Sequence, residues 1–225
     1  IHFDHAGATG ALVRRWPDLP VHVHERGARH LASPERLVAS AARLYGGEEG
    51  LRRLWGEVVP VPEGNLNVLR GGETVLGDFR VEYTPGHASH HVCFLHTPSG
   101  TAFVGDVAGV RIPPARYVVA PTPPPDIDVE AWERSLDLVA SWAPTALALT
   151  HFGRVDDVEP HLGLVRDRLH EIVRLAAQHG EEAFVAGIED RIAQHAGDLT
   201  PQYEQAAPAE HLYLGARRYL DTRAA

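Results

Sequence analysis

An α/β fold is what the sequence predicts, and three observations predict it. Short apolar runs split by Gly and Pro fill residues 57–108, which is the pattern of strands. An amphipathic stretch at 128–142 and a brief apolar run at 146–150 follow, a helix and then a strand. From about residue 158 onward the pattern is helical to the end. Strands with interleaved helices, closed by a helical tail, are the signature of an α/β protein. At 225 residues and 24.6 kDa the chain suits one sizeable domain, or one domain with a small appendage.

Taken in order, Ile1 to Gly7 reads as a loop leading into a helix, with Leu12, Val13 and Trp16 at helical spacing. Leu19 to His24 alternates apolar and polar residues as a half-buried strand does. Ser33-Pro34-Glu35 marks a helix start, Ser as N-cap and Pro in the first turn, running to Leu44 or Tyr45 and stopping at Gly46-Gly47. Strands are expected at Glu57–Val61, Glu73–Leu76, Phe79–Tyr83, His91–His96 and Thr101–Val104. Between Pro113 and Pro125 lie six of the 17 prolines, which neither a helix nor a central strand tolerates. The expectation there is an ordered surface loop or lid. Asp128 caps the next helix, which turns Val129, Trp132, Leu136 and Val139 to one side. Helices at about 158–179, 181–195 and 208–222 complete the chain.

Composition narrows the function classes. The net charge is −9, with 30 acidic residues against 21 basic ones, all of them Arg. A nucleic-acid binder needs basic surface against phosphate, so no nucleic-acid partner is expected. No apolar run approaches the roughly 20 residues of a membrane helix, so no membrane partner is expected either. Cys93 stands alone and forms no internal disulfide, which suits a reducing, cytoplasmic location. In the run HVCFLH it reads as buried filler rather than a reactive thiol. The apolar stripes of the last helices read as core or as the interface of a homodimer.

Fifteen His is a high count, and position separates the informative ones from ordinary surface or core histidines. His22, His24, His30 and His96 read as ordinary. Four polar clusters lie at strand ends or before a helix: His2-Phe3-Asp4-His5, Thr84-Pro85-Gly86-His87, Phe103-Val104-Gly105-Asp106 and Leu149-Thr150-His151. Loops after strands are where α/β folds place ligands and metals. Together they offer four imidazoles and two carboxylates, a donor set for Zn²⁺, with Fe or Mn²⁺ as alternatives and no thiolate needed. His2, Asp4 and His5 are too close in sequence for all three to reach one ion from a regular element, but a tight turn lets them serve two. Asp106, with two oxygens, has the means to bridge ions about 3.5–4 Å apart.

The run IHFDHAG resembles the second half of the His-x-His-x-Asp-His motif of metallo-β-lactamase-fold hydrolases. TPGH, VGD and LTHFG resemble that family's later metal motifs, in the same order and at similar separations of about 80, 20 and 45 residues. The resemblance covers residues 1–155 as a catalytic domain and leaves 156–225 as a helical C-terminal extension packed on it or capping it. It implies an αββα sandwich and hydrolysis by a hydroxide held between two divalent metals, most readily zinc. By motif, His2 and His87 resemble ligands of the first ion, Asp4, His5 and His151 of the second, and Asp106 the bridge. Asp4 would also orient the nucleophile and accept its proton, making it the candidate catalytic residue. One departure stands out: the family's first His would immediately precede Ile1. With no Met in the chain either, roughly 50–70 further residues are expected ahead of Ile1.

A small ester, lactone, thioester or amide is the expected substrate. A phosphodiesterase or nuclease of the same fold would need the basic surface that is missing. A non-enzymatic, degenerate metal-binding module rests only on the missing first His. A di-iron flavin-linked variant would replace the second-metal His of the HxDH run, and it is in place here. Among residues near the motifs, His90 or His91 could orient His87 or equally stand solvated at a strand edge, and Arg111, Arg116 or Tyr117 could meet a substrate, although surface placement is the simpler expectation for those three.

Overall fold

The computed structural model describes residues 1–43, 46–125 and 127–224. They form two compact units, Ile1–Gly71 and Gly72–Ala225.

The smaller unit begins with α1 (Phe3–Ala6) and α2 (Thr9–Arg15), then β1 (Val21–His24), α3 (Glu25–Ala32), α4 (Glu35–Ala42), α5 (Gly47–Trp55) and β2 (Leu66–Leu69). β1 and β2 pair in parallel, Val21 opposite Leu66 and His24 opposite Leu69. Val13, Val21 and Val61 are buried together, with Leu19, Leu31 and Leu66 against them. Here local structure departs from the sequence reading. His24 caps α3, its Nδ1 accepting from the Arg26 amide at 3.3 Å, a role that residue type rarely advertises. Ser33 ends α3 instead of capping α4, which starts at Glu35 behind Pro34. The expected end of that helix, at Leu44 or Tyr45, lies outside the described residues. Residues 57–61 form no strand; the Val61 amide donates to the Leu31 carbonyl at 2.8 Å, and β2 takes the place beside β1.

The larger unit is built on a six-stranded sheet: β3 (Thr74–Val75), β4 (Phe79–Tyr83), β5 (Val92–His96), β6 (Thr101–Gly105), β7 (Ala146–Leu149) and β8 (Arg154–Val155), adjacent in that order. All neighbours are antiparallel except β6 and β7, whose parallel pairing requires a crossover. α6 (Val129–Ser141) supplies it, capped as expected by Asp128, whose Oδ1 accepts from the Ala131 amide at 2.9 Å. Such a cap stabilises by about 1 kcal/mol. Cys93, Ala102, Val104, Leu147 and Leu149 of the sheet share one buried cluster with Trp132, Leu136 and Val139 of α6.

The C-terminal helices join the same cluster. α7 (Val158–Gln178) contributes Val165, Leu169 and Ile172, α8 (Glu181–Ala196) Ile188 and Ile192, α9 (Thr200–Ala206) Tyr203, and α10 (Ala209–Ala224) Leu212 and Ala216. No helix among the described residues is long and apolar enough to cross a membrane.

The proline-rich stretch is the main correction to the sequence reading. Tyr117, Val118, Val119, Ala120 and Thr122 are buried, so this segment is part of the core rather than a surface loop or lid. Val110 and Val119 exchange backbone hydrogen bonds at 2.8 and 3.0 Å. The Tyr203 hydroxyl donates to the Tyr117 carbonyl at 2.7 Å and accepts from the Ile112 amide at 2.9 Å, while Thr122 Oγ1 donates to the Leu212 carbonyl at 3.0 Å. Proline brings no N–H into the interior, so its abundance lightens the demand for buried partners. α10 comes so close that a Cβ on Gly215 would lie 1.9 Å from the Thr122 carbonyl oxygen.

Candidate metal centre

Because β4, β6 and β7 run in the same direction, their C-terminal ends lie at one end of the sheet. His87 comes four residues after β4, Asp106 directly after β6 and His151 two residues after β7. The larger unit therefore gathers three of the six predicted site residues from positions far apart in sequence. Asp106 is 4% exposed and His87 3%. His87 Nε2 lies 3.2 Å from Asp106 Oδ2, and His151 Nε2 lies 3.2 Å from Asp106 Oδ1. One carboxylate thus offers each oxygen to a different imidazole.

That arrangement fits a metal on chemical grounds. The His87 Nδ1 lies 2.8 Å from the Pro121 carbonyl oxygen. A carbonyl only accepts, so Nδ1 carries the hydrogen and the neutral ring presents its Nε2 lone pair to Asp106. Two acceptors facing each other call for a cation between them, either a proton or a metal. Ligand atoms at about 2.0–2.1 Å from one tetrahedral ion are about 3.3 Å apart, close to the separation observed.

Two glycines let the backbone pass. Gly86 has φ +138° and lies against α6, where a Cβ would sit 2.3 Å from Trp132 Cα. Gly105 has φ +51°, and a Cβ there would meet His91 Nε2 at 2.4 Å. His91 lies edge-on to His87 with ring centres 6.1 Å apart, and its Nδ1 is 2.9 Å from Thr84 Oγ1. The orienting partner of His87 is thus the Pro121 carbonyl, where the sequence had left the choice open between such a role for His90 or His91 and a solvated strand edge. Cys93 is wholly buried, accepts from the Thr84 hydroxyl at 3.2 Å, and has its thiol pushed up to about 12 by burial. Arg111 and Arg116 both bond Asp157, at 3.0 and 2.6 Å, and Tyr117 is buried. Burial pushes the Asp157 carboxyl up, but those two guanidiniums prevail and hold it below the ordinary carboxylate value.

The other three predicted residues stand in the smaller unit on its first turn. His2 is the N-cap of α1, its carbonyl accepting from the amides of His5 and Ala6 at 3.1 and 2.8 Å. Asp4 and His5 are exposed and paired, His5 Nε2 lying 3.3 Å from Asp4 Oδ2. A separate open cleft of about 470 Å³ lies among Tyr117, Arg168, Glu171, Asp190, Arg191 and His195, and none of the six site residues lines it. Its half-buried acid, Glu171, is paired with Arg168 and Arg191.

A family model described as the metallo-beta-lactamase superfamily matches residues 1–151. The metallo-beta-lactamase fold-containing protein ST1585 of Sulfurisphaera tokodaii is 34% identical over 132 residues, which are 58% of this chain and 46% of that protein. The chain thus spans about half the length of that curated relative. The crystal structure of ST1585, described as an archaeal metallo-beta-lactamase superfamily protein from Sulfolobus tokodaii, superposes with a TM-score of 0.58 at 26% identity, over 74% of this chain and 62% of that one. The metallo-beta-lactamase family protein TTHA1429 of Thermus thermophilus gives a TM-score of 0.62 over 98% of this chain and 72% of its own, at 23% identity, a likeness of fold alone. Because the matched stretch takes in all four motifs and ends on His151 itself, the chain belongs to the metallo-beta-lactamase superfamily, whose members are mostly hydrolytic metalloenzymes.

Proposed function

We propose that this chain carries the active site of a dinuclear metal hydrolase acting on a small ester, lactone, thioester or amide in the cytoplasm. One observation carries the reading: a buried carboxylate, Asp106, with an imidazole nitrogen 3.2 Å from each oxygen. His2, His87 and Asp106 would hold one ion, and Asp4, His5, His151 and the other oxygen of Asp106 the second. The all-nitrogen and oxygen donor set favours zinc, with Fe or Mn²⁺ as alternatives. Bound there, divalent ions would supply a water acidified toward neutrality and an electrophile for the substrate carbonyl.

The residues have distinct tasks. The Pro121 carbonyl keeps the His87 hydrogen on Nδ1 and leaves Nε2 as donor atom. Asp106 is buried, where water screens its carboxylate little. Asp4, exposed on the first turn, orients the nucleophile and takes its proton at a carboxylate oxygen. A net charge of −9 favours a small substrate over a nucleic acid.

Metal content of the full-length protein purified without chelator is the first test. About two ions of Zn, Fe or Mn per chain are expected, with hydrolysis of at least one ester, lactone or thioester lost on chelation. Asp106→Asn should abolish stoichiometric metal and lower turnover by at least ~10²–10³-fold, the scale of one preorganised electrostatic contact. A protein that binds no metal, and takes none up when it is supplied, defeats the reading.

A further inference from the structure

Asp106 opens a single 3₁₀ turn, Asp106–Ala108, and every carbonyl of that turn is held. The Asp106 carbonyl accepts from the Gly109 amide at 2.9 Å. The other two are held by side chains from two different helices. Trp132 Nε1 of α6 donates to the Val107 carbonyl at 2.7 Å, and His161 Nε2 of α7 donates to the Ala108 carbonyl at 2.8 Å. Both side chains are fully buried. Trp132 also lies edge-on to His87, ring centres 5.6 Å apart, and its backbone abuts Gly86. It therefore touches the segments carrying two of the site residues.

His161 is itself fixed from the other side. With its hydrogen on Nε2, its Nδ1 faces Arg111 Nη1 at 3.5 Å, and Arg111 is tied to Asp157 at 3.0 Å. A ring clamped between a carbonyl and a guanidinium has one tautomer and one orientation. His161 lies beyond the stretch the superfamily model matches, in the first turns of the helical region.

We propose that Trp132 and His161 are positioning residues for the metal centre: by holding the Val107 and Ala108 carbonyls they aim the Asp106 carboxylate, so that the helical region takes part in building the site. The proposal rests on Asp106 serving as a metal ligand. A turn with its carbonyls unheld would let the carboxylate swing, and partners of this outer kind are worth about 10–100-fold in metal affinity.

The test is zinc affinity, measured by competition with a chromophoric chelator, for the full-length protein and three variants. His161→Leu removes the donor, His161→Gln keeps an N–H at a similar place, and Trp132→Phe removes the indole N–H while keeping a ring beside His87. Affinity is expected to fall about 10–100-fold for His161→Leu and Trp132→Phe and to return within a few-fold of the parent for His161→Gln. A loss that His161→Gln shares in full would mean that bulk packing, not the hydrogen bond, is what matters, and would overturn the proposal. Parental affinity in His161→Leu would overturn it too. If His161→Leu does not fold, Trp132→Phe decides alone, weakened binding supporting the proposal and parental binding ending it. A parent that takes up neither zinc nor iron nor manganese overturns the reading of the site first, and this inference with it, whereas a parent that binds one of these metals beside indifferent variants overturns the inference alone.

Discussion

The two groups of predicted site residues are held in opposite ways. His87, Asp106 and His151 come from segments up to 64 residues apart and meet because three strand ends of one sheet bring them together over a large buried cluster. His2, Asp4 and His5 lie within four residues at the start of a four-residue helix, in a unit whose buried apolar cluster is small. The first group is preorganised by tertiary structure. The second has its backbone set by the local hydrogen bonds of one turn. The same substitution chemistry should therefore have very different consequences in the two places.

The largest effect on the fold is expected on the buried side. Gly86→Ala puts a methyl 2.3 Å from Trp132 Cα, at a backbone φ of +138° that L side chains rarely adopt. Overpacking and backbone strain each cost about 1–3 kcal/mol, so a loss of about 3 kcal/mol is expected in urea unfolding of the metal-free protein. A loss under about 1 kcal/mol would mean that α6 shifts freely beside the site, and the contrast between the two groups would weaken.

What the sequence made legible was whatever is encoded locally. Strand β4 matches its expected bounds, β5, β6 and β7 differ by one residue at an end, and α6, α7, α8 and α10 are each displaced by at most a residue or two. Period and turn residues suffice for those. The four motifs were legible for the same reason, each being a few consecutive residues. The partners that fix their geometry were not. Nothing in Pro121 announces that its carbonyl holds His87, because any residue has a carbonyl and only the fold decides which one arrives. His161 read as one histidine among many on an amphipathic helix, and Trp132 as core. The proline-rich stretch misled because the missing N–H that bars proline from helices and central strands also makes it cheap to bury in neither.

A smaller effect concerns pH. Burial is the main cause that lowers the His161 pKa from its ordinary 6.5, joined by the Arg111 guanidinium, while the hydrogen bond to Ala108 opposes it. His211 is lowered by burial as well, against Glu210. A histidine that stays neutral in the folded state binds fewer protons there than in the unfolded chain. Its contribution is therefore intact above about pH 6.5 and is lost as pH falls from there toward the folded value. The melting temperature of the metal-free protein should drop between pH 7 and pH 5, and His161→Gln should remove part of that slope. The acid-side loss from Asp157, whose carboxyl lies below its ordinary value, belongs to a lower window, near pH 4 and beneath. A slope unchanged by His161→Gln would place the titration elsewhere.

The smallest expected effect on folding, on the exposed side, separates the two groups most clearly. Asp4 is exposed, its side chain 42% accessible, and its hydrogen-bonding neighbour His5 is adjacent in sequence. Asp4→Asn keeps the shape and removes the charge, and substitutions at such surface positions usually stay within about 0.5 kcal/mol. Urea midpoint and slope of the metal-free protein should both remain those of the parent. Turnover should still fall sharply, since Asn cannot accept the proton that the proposed reaction must move. The pairing of an unchanged fold with a lost reaction is what an exposed residue on a short first turn should give. If Asp4→Asn instead destabilised the metal-free chain as much as Gly86→Ala, the first turn would be tied into the fold as firmly as the strand ends, and the two groups would be one preorganised site.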